Sequence, residues 1–389
     1  MEKKQITEKE HIGYQKKWRV VQALINRPIK RMFNLDAKEF DFEGPCIVIP
    51  NHVSNWDPLM VAMSFPKKQM YFVASEHIFR WGIVSKLINW LVAPIPRRKA
   101  SVGSDTVMAI LRHVRAGHSI CIFGEGQATW NGVSNEVFSA TGKMVKNSGA
   151  TLVTYKTEGG YLSDPRWGKT LRRGRTKGYV VNVYSPEQLK EMTPQQINEA
   201  INADIYEDAW ERQRIEKRNF KGKNRAVGME RGLFMCPGCG RIGTLSSHDD
   251  MVSCSCGFSV RYTEKGFFEP AEPFETFLQW DKWQHEKLKN GDFPHEEELF
   301  HDSDTSITKI TQDHVQQQIG RGRLSMTAET IDCGEISFPL RDISHMDMVN
   351  THKLLFKRDK DYFEIKAGKD SCLRKYLAVW ANLQTDSDQ

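Results

Sequence analysis

The sequence has no apolar stretch long enough to span a membrane. A spanning helix needs about 18 or more uninterrupted apolar residues, and the nearest candidate, residues 82–96, is interrupted by Ser85, Lys86 and Asn89. We expect this segment, with its interfacial Trp90, to dip into a membrane surface without crossing it. The start of the chain also lacks an apolar core of the signal-peptide kind. These absences predict a cytoplasmic protein that binds a membrane peripherally.

Cysteine is scarce, and no charge dominates. The 389 residues include eight cysteines, four of them between positions 236 and 256, which argues against a disulfide framework. The net charge is only +6, but basic side chains are concentrated at 16–31, 166–177 and 217–225. Such runs suit phosphate-bearing partners, either anionic lipid or nucleic acid, although solvated surface explains any one of them. We expect the third run to be a spacer, and we do not expect nucleic acid as a partner.

Residues 40–210 alternate between strand and helix signals. Apolar and β-branched runs predict strands at 46–49, 71–74, 120–123, 151–155 and 179–184. Periodic apolar positions predict helices between them, including one that starts at the Thr193-Pro194 pair. The alternation predicts an α/β layer with a mostly parallel sheet. Ligands of such sheets collect beyond the carboxyl ends of the strands.

Two loops at that edge carry polar side chains. The first is Asn51-His52-Val53-Ser54-Asn55-Trp56-Asp57-Pro58. Its His52 and Asp57 are close enough in sequence for the carboxylate to reach the imidazole. A carboxylate on one ring nitrogen fixes the tautomer and makes the other nitrogen a better base. The pair therefore predicts proton abstraction.

The second loop is Phe123-Gly124-Glu125-Gly126-Gln127. Glycines on both sides of Glu125 allow a ligand to approach the backbone, and we expect them to leave the carboxylate unshielded. Between the two loops, Ala93-Pro94-Ile95-Pro96 leads to Arg97 and Arg98. Paired guanidinium groups suit phosphate oxygens.

Together these motifs resemble one enzyme family. Asn51-His52-x-Ser54-x-x-Asp57 resembles the NHxSxxD signature of the glycerophospholipid acyltransferases, the family of 1-acylglycerol-3-phosphate acyltransferases. Ile95-Pro96-Arg97-Arg98 resembles the second block of that family, and Phe123-Gly124-Glu125-Gly126 resembles the third. Leu152-Val153-Thr154-Tyr155 stands where the family has a further short apolar strand. The resemblance covers about residues 35–210.

The resemblance implies roles for particular residues. His52 would be the general base for a lysophospholipid hydroxyl that attacks an acyl thioester, either acyl-CoA or acyl-ACP, and Asp57 would orient it. Glu125 and Gly126 would place the acceptor, and Arg98 would hold a phosphate. The substrate-binding set that the resemblance implies is Asn51, Ser54, Arg98, Glu125 and Gly126.

The third block departs from the family pattern. Gln127 and Ala128 stand where the family has threonine and an arginine for the acceptor phosphate, and Gly124 replaces proline. Arg97, Arg98 or the run at 166–177 could replace the missing arginine. The acceptor could equally be a lysolipid other than lysophosphatidic acid.

Four cysteines in two close pairs predict a zinc ribbon. Cys236-Pro237-Gly238-Cys239 precedes Cys254-Ser255-Cys256, with fourteen residues between the pairs. Four thiolates at this spacing fit a tetrahedral zinc site, although His248 could take the place of one thiolate. Because all four ligand positions are filled, the predicted zinc is structural.

These signals predict six parts. They are a basic amphipathic segment (1–34), an acyltransferase domain (35–210), a charged linker (211–233), the zinc ribbon (234–263), a helical and acidic connector (264–304) and a PH-like β domain with a C-terminal helix (305–385). Within the first part we expect a helix over 14–32, limited by Pro28. A second helix is expected within 266–292.

Two alternatives to a membrane-surface acyltransferase remain open. One is a zinc-ribbon protein that binds nucleic acid through its basic runs. The other is a degenerate acyltransferase domain that serves as a lipid-binding scaffold.

Overall fold

The computed structural model describes residues 6–75, 78–79, 82–97, 104–291, 298–311, 315–368 and 371–387. They divide into two compact units. The first consists of residues up to 166 together with 172–221, and the second of residues 167–171 together with those from 222 onward. The finer division into six parts stays a prediction.

The first unit is an α/β layer built on a seven-stranded sheet. Its strands are β1 (Leu35–Ala37), β2 (Cys46–Pro50), β3 (Met70–Ser75), β4 (Ile95–Arg97), β5 (Ser119–Cys121), β6 (Thr151–Glu158) and β7 (Thr176–Tyr184). Its described helices are α1 (Glu8–Met32), α2 (Asp57–Ala62), α3 (Ile83–Val92), α4 (Ser104–Arg115), α5 (Ala140–Ser148), α6 (Gly160–Ser163), α7 (Pro186–Glu191), α8 (Pro194–Ile205) and α9 (Ala209–Glu216).

The strand order is β1-β7-β6-β2-β5-β3-β4. Every neighbouring pair is parallel except β6 with β7, which confirms the mostly parallel sheet. Strands covered on both faces are apolar throughout, and all five residues of β2 are buried. On one face of the sheet Ile47 and Ile49 pack with Ile110 and Ile197, and on the other Val48 packs with Phe65.

This topology positions the two polar loops. Because β2 is parallel to β5 on one side and to β6 on the other, the segments that follow these three strands all leave at the same edge of the sheet. The expected strand at 120–123 ends earlier, at Cys121. Ile122 and Phe123 therefore already belong to the loop.

Helix α1 continues through Pro28 to Met32. The expectation that this proline would limit the helix is therefore wrong. Proline removes only the hydrogen bond that a residue at position 28 would donate to the carbonyl oxygen of Leu24. The buried side chains of Trp18 and Ile29 stabilise the helix by packing.

The second unit is β-rich and ends in a helix, as the sequence predicted. It contains a four-stranded and a seven-stranded sheet, both antiparallel. The first has the order β11-β10-β9-β8 and is formed by β8 (Leu245–His248), β9 (Met251–Cys254), β10 (Ser259–Tyr262) and β11 (Phe268–Glu269). The second has the strands β12 (Phe300–Ile310), β13 (Gln316–Met326), β14 (Thr330–Cys333), β15 (Ile336–Pro339), β16 (Ile343–Val349), β17 (Lys353–Arg358) and β18 (Asp361–Lys366).

Two helices accompany these sheets, α10 (Phe277–Lys289) and α11 (Arg374–Ser387). Helix α10 is shorter than the expected helix within 266–292, because Phe268 belongs to β11 and Thr276 caps the helix start. Within the described residues, no helix combines the length and the apolarity that crossing a membrane requires.

Candidate active site

Asn51 anchors the loop that follows β2. Its amide Nδ2 donates to the carbonyl oxygen of Thr157 at 3.0 Å, and its Oδ1 accepts the backbone N–H of Thr157 at 2.7 Å. The side chain is fully buried. Asn51 was expected among the substrate contacts, but in this structure its amide holds the loop against β6.

His52 and Asp57 form the pair that the sequence predicted. Nδ1 of His52 lies 2.8 Å from Oδ2 of Asp57. The same oxygen accepts the backbone N–H groups of Val53 at 2.7 Å and Ser54 at 2.9 Å. With three donors on one oxygen, the Asp57 carboxylate is fixed, and the imidazole is held as the tautomer with hydrogen on Nδ1.

The other ring nitrogen of His52, Nε2, makes no hydrogen bond to the described residues. The imidazole packs on the ring of Phe123, with the centroids 4.3 Å apart, and the His52 side chain is 18% exposed. Nε2 is therefore the atom that can take a proton from a substrate.

Glu125 lies beside His52. Its carboxylate was expected to be unshielded, but it is buried. Oε1 accepts the backbone N–H of His52 at 2.6 Å, and Oε2 accepts the backbone N–H of Asn135 at 2.7 Å. Burial raises the pKa of Glu125 to about 8, against the opposing effect of these donors. The flanking glycines made the carboxylate seem open, whereas the loop folds back and closes over it. Glu125 therefore fixes the backbone of the His52 loop.

Gly126 has a φ of +80°, which favours glycine. A Cβ atom there would also collide with the ring of Phe138 and lie 3.2 Å from Nη1 of Arg97. The Arg97 guanidinium stacks over Phe138, 4.6 Å from the ring centroid. Arg97 is thus a guanidinium beside the second loop, while Arg98, which was predicted to bind phosphate, lies outside the described residues.

Arg166 reaches the part of the second loop that departs from the family pattern. Its Nη1 donates to Oε1 of Gln127 at 2.8 Å and to the carbonyl oxygen of Ala128 at 3.2 Å. The guanidinium also stacks over Trp130 at 4.3 Å. The sequence offered the run 166–177 as one replacement for the missing arginine, and Arg166 is the member of that run in contact with Gln127 and Ala128.

The hydroxyl of Ser54 is hydrogen-bonded within the protein. Its Oγ donates to Oδ2 of Asp164 at 2.8 Å and accepts the N–H of Trp56 at 3.0 Å. Burial raises the pKa of Asp164, while the hydrogen bonds from Ser54 and the Asn55 backbone oppose that rise. Sequence reasoning did not identify Asp164, because nothing in its local sequence marks it.

The four predicted cysteine ligands converge in the second unit. The Sγ atoms of Cys236, Cys239, Cys254 and Cys256 all lie within 4.8 Å of one another. Cys236 and Cys256 are 3.7 Å apart, and Cys239 and Cys254 are 3.9 Å apart. A tetrahedron of thiolates about 2.3 Å from one metal ion has S···S distances of about 3.8 Å, so these four side chains can hold a metal ion. His248 lies outside this cluster, and its side chain is 90% exposed.

The α/β layer places the His52–Asp57 pair at the carboxyl edge of its sheet, an arrangement that suits acid–base chemistry. Residues 26–158 match the family model described as Acyltransferase. The matched residues contain the motifs that resemble those of the glycerophospholipid acyltransferases. The match includes both polar loops and ends before Asp164, Arg166 and the cysteine cluster.

A solved structure is also similar to this chain. It is the crystal structure of the 1-acyl-sn-glycerophosphate (LPA) acyltransferase PlsC from Thermotoga maritima, with 17% sequence identity and a TM-score of 0.39. The similarity covers 48% of this chain and 79% of that chain.

Proposed function

We propose that this protein transfers a fatty acyl group from an acyl thioester to the hydroxyl of a lysophospholipid. The observation that carries the proposal is the 2.8 Å contact between Nδ1 of His52 and Oδ2 of Asp57. It leaves Nε2 of His52 as the base, in a domain of the acyltransferase family. The donor is acyl-CoA or acyl-ACP, and the acceptor is 1-acyl-sn-glycerol-3-phosphate or a related lysolipid.

The proposed reaction needs no covalent acyl-enzyme. Nε2 of His52 takes the proton of the acceptor hydroxyl while its oxygen attacks the thioester carbonyl. The C–S bond then breaks, and the leaving thiolate takes the proton back from the imidazolium. Asp57 stabilises the positive charge on the ring between these two steps.

The acceptor headgroup is the less determined half of the proposal. Arg97 lies beside Gly126, and Arg166 lies beside Gln127 and Ala128. Both guanidinium groups therefore adjoin the loop that follows β5, where an acceptor phosphate would be recognised by charge-assisted hydrogen bonds. This arrangement supports an acceptor that carries a phosphate.

Replacement of His52 tests the reaction. In purified protein supplied with labelled acyl-CoA and lysophosphatidic acid, His52→Ala should lower kcat by about 10²- to 10⁴-fold and leave the unfolding temperature nearly unchanged. The control is His248→Ala, which removes a side chain that is 90% exposed and far from the loop in sequence. Wild-type protein that binds lysolipid without transferring an acyl group would support the scaffold alternative instead.

A membrane surface is the proposed place of action. Helix α3 exposes Ile83, Val84, Leu87 and Trp90. Lys17 on α1 donates to the carbonyl oxygen of Trp90 at 2.7 Å, so the basic helix lies next to this apolar face. An apolar helix face with neighbouring cations is typical of binding to anionic lipid.

Vesicle binding tests that proposal. Leu87→Glu should lower co-sedimentation with anionic phosphatidylglycerol vesicles several-fold, because it places a charge on the apolar face of α3. The control is Ile215→Glu, which puts the same charge on a still more exposed apolar side chain of α9. Equal loss of binding in both variants would contradict a specific role for α3.

We also infer that the cysteine cluster holds one structural zinc ion. Four thiolates are the donor set that zinc prefers in closed structural sites, and no ligand position remains for a substrate. The ion would tie the turn that carries Cys236 and Cys239 to the end of β9, which carries Cys254.

A further inference from the structure

Ser54 connects the buried carboxylate of Asp57 and the partly buried carboxylate of Asp164 through different groups. Its hydroxyl donates to Oδ2 of Asp164 at 2.8 Å, and its backbone N–H donates to Oδ2 of Asp57 at 2.9 Å. Oδ2 of Asp57 is also the oxygen that holds Nδ1 of His52. Any movement of Ser54 therefore changes the hydrogen bonding of the oxygen that orients the base.

The segment that carries Asp164 is well placed to hold Ser54 still. It follows β6 through α6, and the N–H of Asp164 donates to the carbonyl oxygen of Gly160 at 2.9 Å. Gly160 packs so closely on Val53 that a Cβ atom there would lie 2.7 Å from Cγ2 of Val53. Residues 157–164 thus support the loop at three successive points, since Thr157 binds Asn51, Gly160 packs on Val53, and Asp164 binds Ser54.

We propose that Asp164 is a positioning residue for acyl transfer. It does not contact the reacting atoms. Its carboxylate fixes the Ser54 hydroxyl, which keeps the Ser54 N–H on Asp57 and keeps His52 Nδ1 on the same oxygen. A small displacement of a catalytic group lowers the rate much more than it lowers substrate binding, so the role should be visible in kcat. This rate effect rests on the proposed acyltransferase function.

The experiment compares the single variants Asp164→Ala, Asp164→Asn and Ser54→Ala with the double variant that combines Asp164→Ala and Ser54→Ala. We expect kcat for acyl transfer to fall about 10- to 100-fold in Asp164→Ala with little change in KM. Asp164→Asn keeps an oxygen that accepts the Ser54 hydroxyl, so it should retain more activity than Asp164→Ala. The double variant should lose no more kcat than the more impaired of Asp164→Ala and Ser54→Ala. Both single variants and the double variant remove the same hydrogen bond, between Ser54 and Asp164.

Proton NMR of the histidine-labelled protein gives a readout that does not depend on activity. In the wild type the His52 Nδ1 proton should give a low-field resonance, and Asp164→Ala should shift or broaden it. Asp204→Ala is the control, because Asp204 accepts side-chain hydrogen bonds from Thr154, Asn182 and Tyr184, none of which belongs to the His52 loop. This control should lower stability at least as much as Asp164→Ala and leave both kcat and the resonance unchanged.

The outcomes separate the two proposals. Wild-type protein that transfers no acyl group would contradict the proposed function, and the resonance would still report whether Asp164 positions His52. An unchanged resonance and unchanged kcat in folded Asp164→Ala and Asp164→Asn would overturn the positioning role. Equal losses of kcat in Asp164→Ala and Asp204→Ala would also overturn it, because the effect would then be general destabilisation.

Discussion

The carboxylate of Glu125 accepts the backbone N–H of His52 at 2.6 Å. This bond joins the two loops that follow β2 and β5, so the loop that carries His52 is held by the loop expected to hold the substrate. Thr129 makes a second such link, because its N–H donates to the carbonyl oxygen of His52 at 2.9 Å. The backbone of His52 is therefore fixed by both of its polar groups.

Asp57→Asn should lower kcat for acyl transfer by about 10³- to 10⁴-fold. Oδ2 of Asp57 accepts three N–H groups. The neutral amide of an asparagine either turns toward these donors its NH₂ group, which cannot accept them, or turns its oxygen toward them and accepts them without a negative charge. In both cases the His52 tautomer is less well held and the imidazolium is less stabilised. Steady-state kinetics measure the loss, with Asp41→Asn as the control, since Asp41 is exposed and pairs with Lys67 at 2.9 Å. Similar rates in both variants would show that Asp57 does not orient the base.

Glu125→Gln should change how stability depends on pH. The pKa of Glu125 is about 8 in the folded protein because of burial, and an ordinary glutamate has a pKa of about 4.3. The folded state therefore binds this proton more tightly, which favours folding below about pH 4.3, and that contribution is lost as the pH rises through about 8.

Between these limits the wild type should lose stability relative to Glu125→Gln, by up to about 1.4 kcal/mol for each pH unit. Urea unfolding of both proteins at several pH values from 5 to 8.5 measures the difference. Parallel curves would mean that Glu125 is ionised throughout this range, stabilised by its N–H donors.

Arg166→Gln should weaken the binding of acceptors that carry a phosphate. A hydrogen bond to a charged group contributes about 1.5–3 kcal/mol, so KM for lysophosphatidic acid should rise about 10- to 100-fold. KM for a monoacylglycerol, which has the hydroxyl but no phosphate, should change much less. Arg173→Gln is the control, because Arg173 belongs to the same basic run and is exposed. An equal rise in KM for both acceptors would show that Arg166 maintains the structure of the Gln127 loop and does not bind the phosphate.

Metal analysis should find one zinc ion per chain. Cys254→Ser should lose the ion, whereas Cys333→Ala should keep it, because Cys333 is buried in β14 outside the cluster. Zinc at such sites contributes about 10–16 kcal/mol of apparent binding energy, so chelation should unfold the ribbon. Trp280 donates to the carbonyl oxygen of Met235 at 2.9 Å, and its fluorescence reports that change. A folded, metal-free ribbon would contradict the zinc site.

The sequence by itself determined the parts of the site that are local. His52 and Asp57 meet within one short loop, because a separation of five residues keeps their side chains within reach of each other. Thr193 caps α8 as its Thr-Pro pair predicted, and the two cysteine pairs need only one hairpin to meet. The alternating apolar runs likewise determined the mostly parallel sheet, since they must be buried on both faces.

Only the tertiary structure decided which distant side chains support the His52 loop. Glu125 is 73 residues from His52, and Asp164 is 110 residues from Ser54. The strand order brings both to one edge of the sheet, and local sequence carries no information about that order. The strand order also explains why Glu125 is buried, although its flanking glycines suggested an open carboxylate. Helix α1 passes through Pro28 because buried packing of Ile29 outweighs a local preference.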